Sequence, residues 1–80
     1  MIMYVTHMYV KHKIDWRDVG QRVRGLRNKP QVEVSRALGI TQGQLSRIEL
    51  GQSRPSIDIL LAISLLYHKS MNWILTGKEI

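Results

Sequence analysis

The sequence predicts an all-α fold of five short helices, preceded by an extended or strand-like N-terminal arm. The first observation is spacing: from Trp16 onward, apolar residues recur every three or four positions, as on one face of a helix. The second is a set of helix start and stop signals: Asp, Ser or Thr stands before several of these runs, and glycine follows three of them. A chain of 80 residues can build one small domain with one modest core.

The N-terminal segment, residues 1–14, differs in character from the predicted domain, residues 15–80. Its β-branched and aromatic side chains partly alternate, as in extended segments: Tyr4, Val5, Tyr9 and Val10. Its apolar part precedes its basic part, the reverse of an export signal. The longest apolar run, Ile57–Tyr67, is too short to span a bilayer. We therefore expect a cytoplasmic protein without a membrane partner.

Local signals justify the first two helices. Asp15 is a suitable N-cap for the first, because its carboxylate can accept the free N–H groups of the first turn. The inward stripe of this helix has spacings of three, four and three residues: Trp16, Val19, Val23 and Leu26. Lys29-Pro30 separates it from the second helix, residues 31–38, since proline suits a first helical turn. Gly39 is the expected left-handed end of that helix.

Three further helices follow from the same signals. Thr41 caps a third helix over residues 42–50, which ends at a glycine. Ser56 begins a fourth helix that reaches about residue 67, and Ser70 caps a last one over residues 71–76. The residues that we expect to face the core here are Leu45, Ile48, Trp73, Ile74 and Leu75.

The charge balance points to a polyanionic partner. The chain carries 12 Lys and Arg against 6 Asp and Glu, a formal net charge of +6. In so small a body this excess favours nucleic acid first and an anionic membrane surface second. No cysteine is present, which excludes disulfides and thiolate metal sites. The spacing of the three histidines is not that of metal ligands: His7, His12 and His68. No nucleophile signature is recognisable either, so we expect no metal, no cofactor and no catalytic residue.

The second and third helices, joined by a short glycine-containing turn, resemble a helix-turn-helix unit. Over residues 19–77 the chain resembles the Xre family of phage-repressor and Cro-like DNA-binding domains, through the words "VGQRVRGLR", "VSRALGITQGQLSRIELG", "RPSIDILLAI" and "SMNWILTG". The resemblance implies a lambda-repressor-like fold and a bacterial or phage-encoded regulator. It also implies that the partner is double-stranded DNA and that the chain is not an enzyme.

The resemblance assigns base contacts to the start of the third helix, which lies in the major groove in this family. The matching positions are Gln42, Gly43, Gln44 and Arg47. A glutamine amide can pair with adenine N6 and N7, and arginine can span guanine O6 and N7. Gly43 would give the backbone a closer approach to the groove or leave room for a thymine methyl. The alternative is that the three polar residues are ordinary solvated side chains and that Gly43 is a tolerated, neutral glycine.

Further roles come from the same resemblance. The implied phosphate contacts are Gln31, Ser46, Gln52, Ser53 and Arg54, and Gln31 should also brace Gln42. Arg22 and Arg24 are weaker phosphate candidates, whose alternative is a solvated helix face. Arg27 and Glu49 are implied to form a partly buried ion pair that fixes the third helix on the first.

The fourth helix is apolar all round, which is unusual for the family and indicates burial on more than one side. Family members usually carry polar residues at Ile59, Ala62 and Leu65. We therefore expect a homodimer in which this outer face and the arm meet, within or between subunits; the alternative is an arm that is disordered in solution. We expect this regulator to act as a repressor at a palindromic operator. The alternative function is an antitoxin-type or other interaction module that binds a partner protein through the fourth helix.

Overall fold

A computed structural model of the chain describes residues 13–79. These residues form five α-helices and no strand: α1 (Trp16–Leu26), α2 (Gln31–Leu38), α3 (Gln42–Glu49), α4 (Ile57–Tyr67) and α5 (Met71–Thr76). The prediction of five helices is confirmed, and α3 ends one residue earlier than predicted. The arm positions Tyr4, Val5, Tyr9 and Val10 lie outside the described residues. None of the described helices combines the length and apolar character that crossing a membrane requires.

Side-chain caps start four of the five helices. Asp15, Thr41, Ser56 and Ser70 each accept a backbone N–H of the first turn. α2 is the exception, because Pro30 occupies its N-cap position and no side chain caps it. Gly39 and Gly77 end α2 and α5 in the left-handed region. At the end of α4 that conformation falls on His68, the one non-glycine residue with a positive φ among the described residues.

One hydrophobic core joins the helices. Its largest fully buried side chains come from four of them: Val19, Leu45, Ile63 and Ile74. α1 packs on α3 and α5, α2 packs on α3 and α4, and α4 packs on α5. The α3 helix is therefore held from two sides, by α1 and by α2. Among residues 13–79 no other helix covers its outer surface, while Leu45 and Ile48 anchor its inner surface.

The contact between α1 and α3 depends on a glycine. Gly20 is buried, and a Cβ added there would lie 2.5 Å from the backbone oxygen of Glu49 and closer still to that of Ile48. Real Cβ atoms essentially never approach backbone oxygen so closely. The absence of a side chain at Gly20 therefore sets the distance between the two helices.

The outer face of α4 differs from the prediction. Ile59 and Ala62 are half-buried and pack against the core, so their assignment to the outer face is wrong, whereas Leu65 is 66% exposed. The helix packs on both α2 and α5, and the part of its surface that meets the core is wider than the fully buried stripe of Leu60 and Ile63. The exposed apolar face of α4 consists instead of Ile57, Leu61 and Leu65, and we call it the α4 outer face.

Arg22 has a role inside the fold. Its Nε donates to the carbonyl oxygen of Ile74 at 2.8 Å, and its Nη2 donates to that of Leu75 at 3.1 Å. These carbonyls lie in the last turn of α5, where helical partners are lacking. Arg22 therefore links α1 to α5. The sequence predicted neither of these contacts, since it offered a phosphate contact or a solvated helix face for Arg22.

Candidate nucleic-acid interface

The turn between α2 and α3 fixes the start of α3. Thr41 Oγ1 accepts the backbone N–H of Gln44 at 3.1 Å, and Gln44 Oε1 accepts that of Thr41 at 3.0 Å. This reciprocal pair is a capping box, which satisfies two donors at the helix start. The Gln44 amide oxygen is thereby engaged within the protein, while its amino group makes no contact in the capping box and is available to a partner.

The N-terminal half of α3 presents polar residues to solvent. Gln42, Gly43 and Arg47 are exposed, while Gln44 and Ser46 are half-buried. The opposite side carries the buried residues Leu45, Ile48 and Glu49. A helix that is packed on the core through one side and exposes polar residues on the other can enter a DNA groove without breaking any contact within the protein.

Nothing in the part of the chain that the structure describes requires glycine at position 43. A Cβ there would lie 3.5 Å from Arg47 Nη1 and 4.0 Å from Thr41 Oγ1, both ordinary contacts. Its φ is not in the left-handed region either, because the positive-φ glycines of the described chain are Gly39, Gly51 and Gly77. The helix-weakening glycine therefore has no explanation in the packing of the described residues.

Arg27 and Glu49 form an ion pair between α1 and the end of α3. Arg27 Nε donates to Glu49 Oε2 at 2.7 Å and Nη2 donates to Oε1 at 3.3 Å, so the guanidinium meets both carboxylate oxygens. The two side chains are only 13% and 5% exposed. The contact that the family resemblance implied is thus present, and it is largely shielded from water.

Further hydrogen bonds connect this ion pair to α2, and from α2 back to α3. Gln31 Nε2 donates to Glu49 Oε1 at 2.8 Å, and Gln42 Nε2 donates to Gln31 Oε1 at 3.4 Å. The structure thereby brings together Arg27, Glu49, Gln31 and Gln42 in one line of contacts. This line ends at the first residue of α3, where the side chain is exposed.

The comparisons with known proteins agree with this geometry. The family model described as "Helix-turn-helix" matches residues 21–74. The chain belongs to the helix-turn-helix family. Its fold is also similar to the P22 c2 repressor protein, solved in complex with a synthetic operator, with a TM-score of 0.71 and 25% identity over 75% of this chain and 96% of that chain. No curated protein matches the chain.

The family settles the broad class. The match is to the Xre and lambda-repressor-like type of helix-turn-helix, so the predicted family is confirmed. This helix-turn-helix domain is a DNA-binding regulator and not an enzyme, as the sequence predicted. The part of the chain that the structure describes holds no cluster of potential metal ligands.

The predicted phosphate contacts of this helix-turn-helix domain lie around α2 and α3. Gln31 stands at the start of α2, Ser46 lies within α3, and the other three follow α3 in the loop: Gln52, Ser53 and Arg54. Gln52 and Arg54 are exposed, whereas Gln31, Ser46 and Ser53 are half-buried. The Arg54 guanidinium lies over the Trp16 ring, 5.7 Å from its centre. Trp16 therefore supports a charged side chain beside α3, a role that its place in the apolar stripe did not indicate.

Tyr67 is a neighbour of the Arg27–Glu49 ion pair, and the sequence did not indicate this proximity. Burial raises the pKa of its hydroxyl, the Arg27 charge lowers it, and the Glu49 charge raises it further. The Tyr67 ring also lines a pocket of about 320 Å³ beside the start of α2, together with Val34 and Leu66. No local pattern could have placed Tyr67 there, since it stands at the far end of α4.

Proposed function

We propose that this helix-turn-helix domain is a sequence-specific transcriptional repressor that binds a palindromic operator as a dimer. The observation that carries the proposal is the exposed polar start of α3, a helix whose last residue, Glu49, is bound by Arg27 and Gln31. The P22 c2 repressor, crystallised with an operator, supports the same class of partner for this chain. Repression would follow from occlusion, because a protein bound at an operator blocks polymerase.

Base readout is assigned to the exposed residues of α3. Gln42 and Arg47 are both exposed, and their amide and guanidinium groups would reach adenine and guanine edges respectively. Gly43 lies between them and leaves space at the groove floor. Gln44 would contribute chiefly through its amino group, because its oxygen already accepts a bond in the capping box.

Phosphate contacts would fix the register of α3 in the groove. Gln52, Ser53 and Arg54 follow α3, where the DNA backbone rises beside a helix that lies in the major groove. Gln31 at the start of α2 and Ser46 within α3 complete the set. The net charge of +6 supplies the long-range attraction.

Dimerisation is the second part of the proposal. One recognition helix reads only a few base pairs, and paired half-sites lie about 34 Å apart along one helical turn. The α4 outer face offers apolar area for a partner subunit, since Ile57 and Leu65 are each about two-thirds exposed. We extend the interface to the dimerising arm, residues 1–14, through Tyr4, Val5, Tyr9 and Val10. Residues 15–80 would then form the DNA-binding unit.

The test combines operator selection with measurement of mass. Duplexes selected from a random DNA pool should share a palindrome, and log K against log salt should fall by about 0.9 per neutralised phosphate. Sedimentation should give two chains per operator. Leu65→Lys, which leaves the core untouched, should reduce dimer formation and operator affinity together.

The same α4 outer face also favours a second function, capture of a partner protein by an antitoxin-type module. A folded protein that selects no DNA sequence at low salt would support that function and overturn the repressor proposal. A monomeric protein that still binds a palindrome with full affinity would overturn the dimer alone.

A further inference from the structure

The hydrogen bonds between Gln42, Gln31 and Glu49 all have the same donor-to-acceptor direction, from Gln42 toward Glu49. Glu49 Oε1 accepts from Gln31 Nε2 at 2.8 Å, and Gln31 Oε1 accepts from Gln42 Nε2 at 3.4 Å. We propose that Glu49 is a positioning residue for base readout, whose carboxylate, acting through Gln31, fixes which end of the Gln42 amide faces DNA. The inference rests on the proposed base contact of Gln42.

The chemistry of the three groups sets the direction. A carboxylate only accepts hydrogen bonds, whereas a carboxamide has one accepting end and one donating end. Glu49 therefore takes the amino end of Gln31 and leaves its oxygen facing Gln42. Because an amide oxygen only accepts, Gln42 must turn its own amino group toward Gln31.

The start of this line is rigid. The Arg27 guanidinium holds both oxygens of Glu49 and also donates from Nη1 to the carbonyl oxygen of Lys29 at 3.0 Å. Glu49 is buried, with 8% of the residue exposed, so water does not compete for its oxygens. A fixed acceptor at Glu49 leaves one favourable orientation for each amide that follows.

The consequence appears at the exposed end. After donating one N–H to Gln31, Gln42 keeps its oxygen and its second N–H for a partner. These two groups match the N6 amino group and the N7 acceptor of adenine in the major groove. A reversed amide would exchange the donor and the acceptor and lose that match. Glu49 thereby favours adenine at a base pair that it does not touch.

The test removes the ion pair without stranding a charge. In the full chain, Arg27→Met/Glu49→Leu replaces a buried pair by apolar residues, a change that is often neutral for stability. A thermal melt checks the fold, and Gln31→Met provides a second variant with the ion pair intact. Base discrimination is then measured at two operator positions, one identified by Gln42→Ala and one by Arg47→Ala.

Both variants should lower discrimination at the Gln42 position by about fivefold or more and change it less than about twofold at the Arg47 position. Equal losses at both positions would show that Glu49 only supports the helix. Unchanged discrimination at both would show that Gln42 orients itself. Either result overturns the proposal.

A measurement on the free protein separates this inference from the proposed function. If Gln42→Ala alters no base preference, the base contact itself is wrong. The side-chain amide NMR signals of Gln42 then still test the line of contacts. They should shift in Arg27→Met/Glu49→Leu, although Gln42 is hydrogen-bonded to Gln31 and to neither substituted residue. Unshifted signals would overturn the positioning role.

Discussion

Arg27 and Glu49 join α1 to the last turn of α3 through two contacts of 2.7 and 3.3 Å, nearly out of reach of water. Removing one partner leaves the other charge buried without its counter-ion. We expect Glu49→Leu alone to lower the free energy of unfolding by about 3–5 kcal/mol. Urea denaturation of the single variant and of Arg27→Met/Glu49→Leu measures it. A double variant as unstable as the single one would mean that packing at Glu49, and not its charge, is what matters.

Gly20 and Gly25 form a matched pair within α1. Gly20→Ala should destabilise the protein by about 1–3 kcal/mol, because its Cβ would strike the backbone of α3. Gly25 is exposed and has nothing within 4 Å of an added Cβ, so Gly25→Ala should stabilise by roughly 0.5–1 kcal/mol. Thermal melts of the two variants compare them directly. Equal effects would contradict the close approach at Gly20.

Gly43→Ala should raise the free energy of unfolding by roughly 0.5–1 kcal/mol, since the added Cβ meets only ordinary contacts. Operator binding should respond differently. Gly43→Gln should impair binding or change the preferred operator, because a long side chain would then meet the groove floor. Unchanged affinity of Gly43→Gln for the same operator would leave this glycine without a functional role.

Tyr67 should make stability depend on alkaline pH. Its pKa is raised in the folded protein, chiefly by burial, whereas the unfolded chain ionises at about pH 10. Above that pH the unfolded chain binds fewer protons at this site, so the free energy of unfolding falls as pH rises. Tyr67→Phe should remove this part of the fall. Denaturation at about pH 8 and 10.5 compares the slopes, and parallel slopes would contradict the burial of the hydroxyl.

Short-range signals predicted the helices well, because caps and stops act within one turn. Asp15, Thr41, Ser56 and Ser70 each accept the N–H groups that their positions indicated. The family resemblance added the contact of Arg27 with Glu49, which no local pattern specifies. What the resemblance could not supply are contacts particular to this chain.

Three such contacts depend on the packing of distant segments. The Arg22 hydrogen bonds to the end of α5 join residues more than 50 positions apart, so no window of sequence contains both partners. The steric clash that excludes a side chain at Gly20 depends on the distance between the axes of α1 and α3. On α4 the apolar pattern runs all round, so the sequence alone could not show that Ile59 and Ala62 pack against the core.

Operator affinity, measured base pair by base pair, tests the central claim most directly. The full chain, Gln42→Ala, Arg47→Ala and Arg54→Ala are titrated at one salt concentration against the selected operator and its single-base variants. Gln42→Ala and Arg47→Ala should each relax preference at its own base pair, by about 1–3 kcal/mol. Arg54→Ala should weaken every sequence alike and reduce the salt slope by about 1. The same uniform loss in all three variants would contradict base readout by α3.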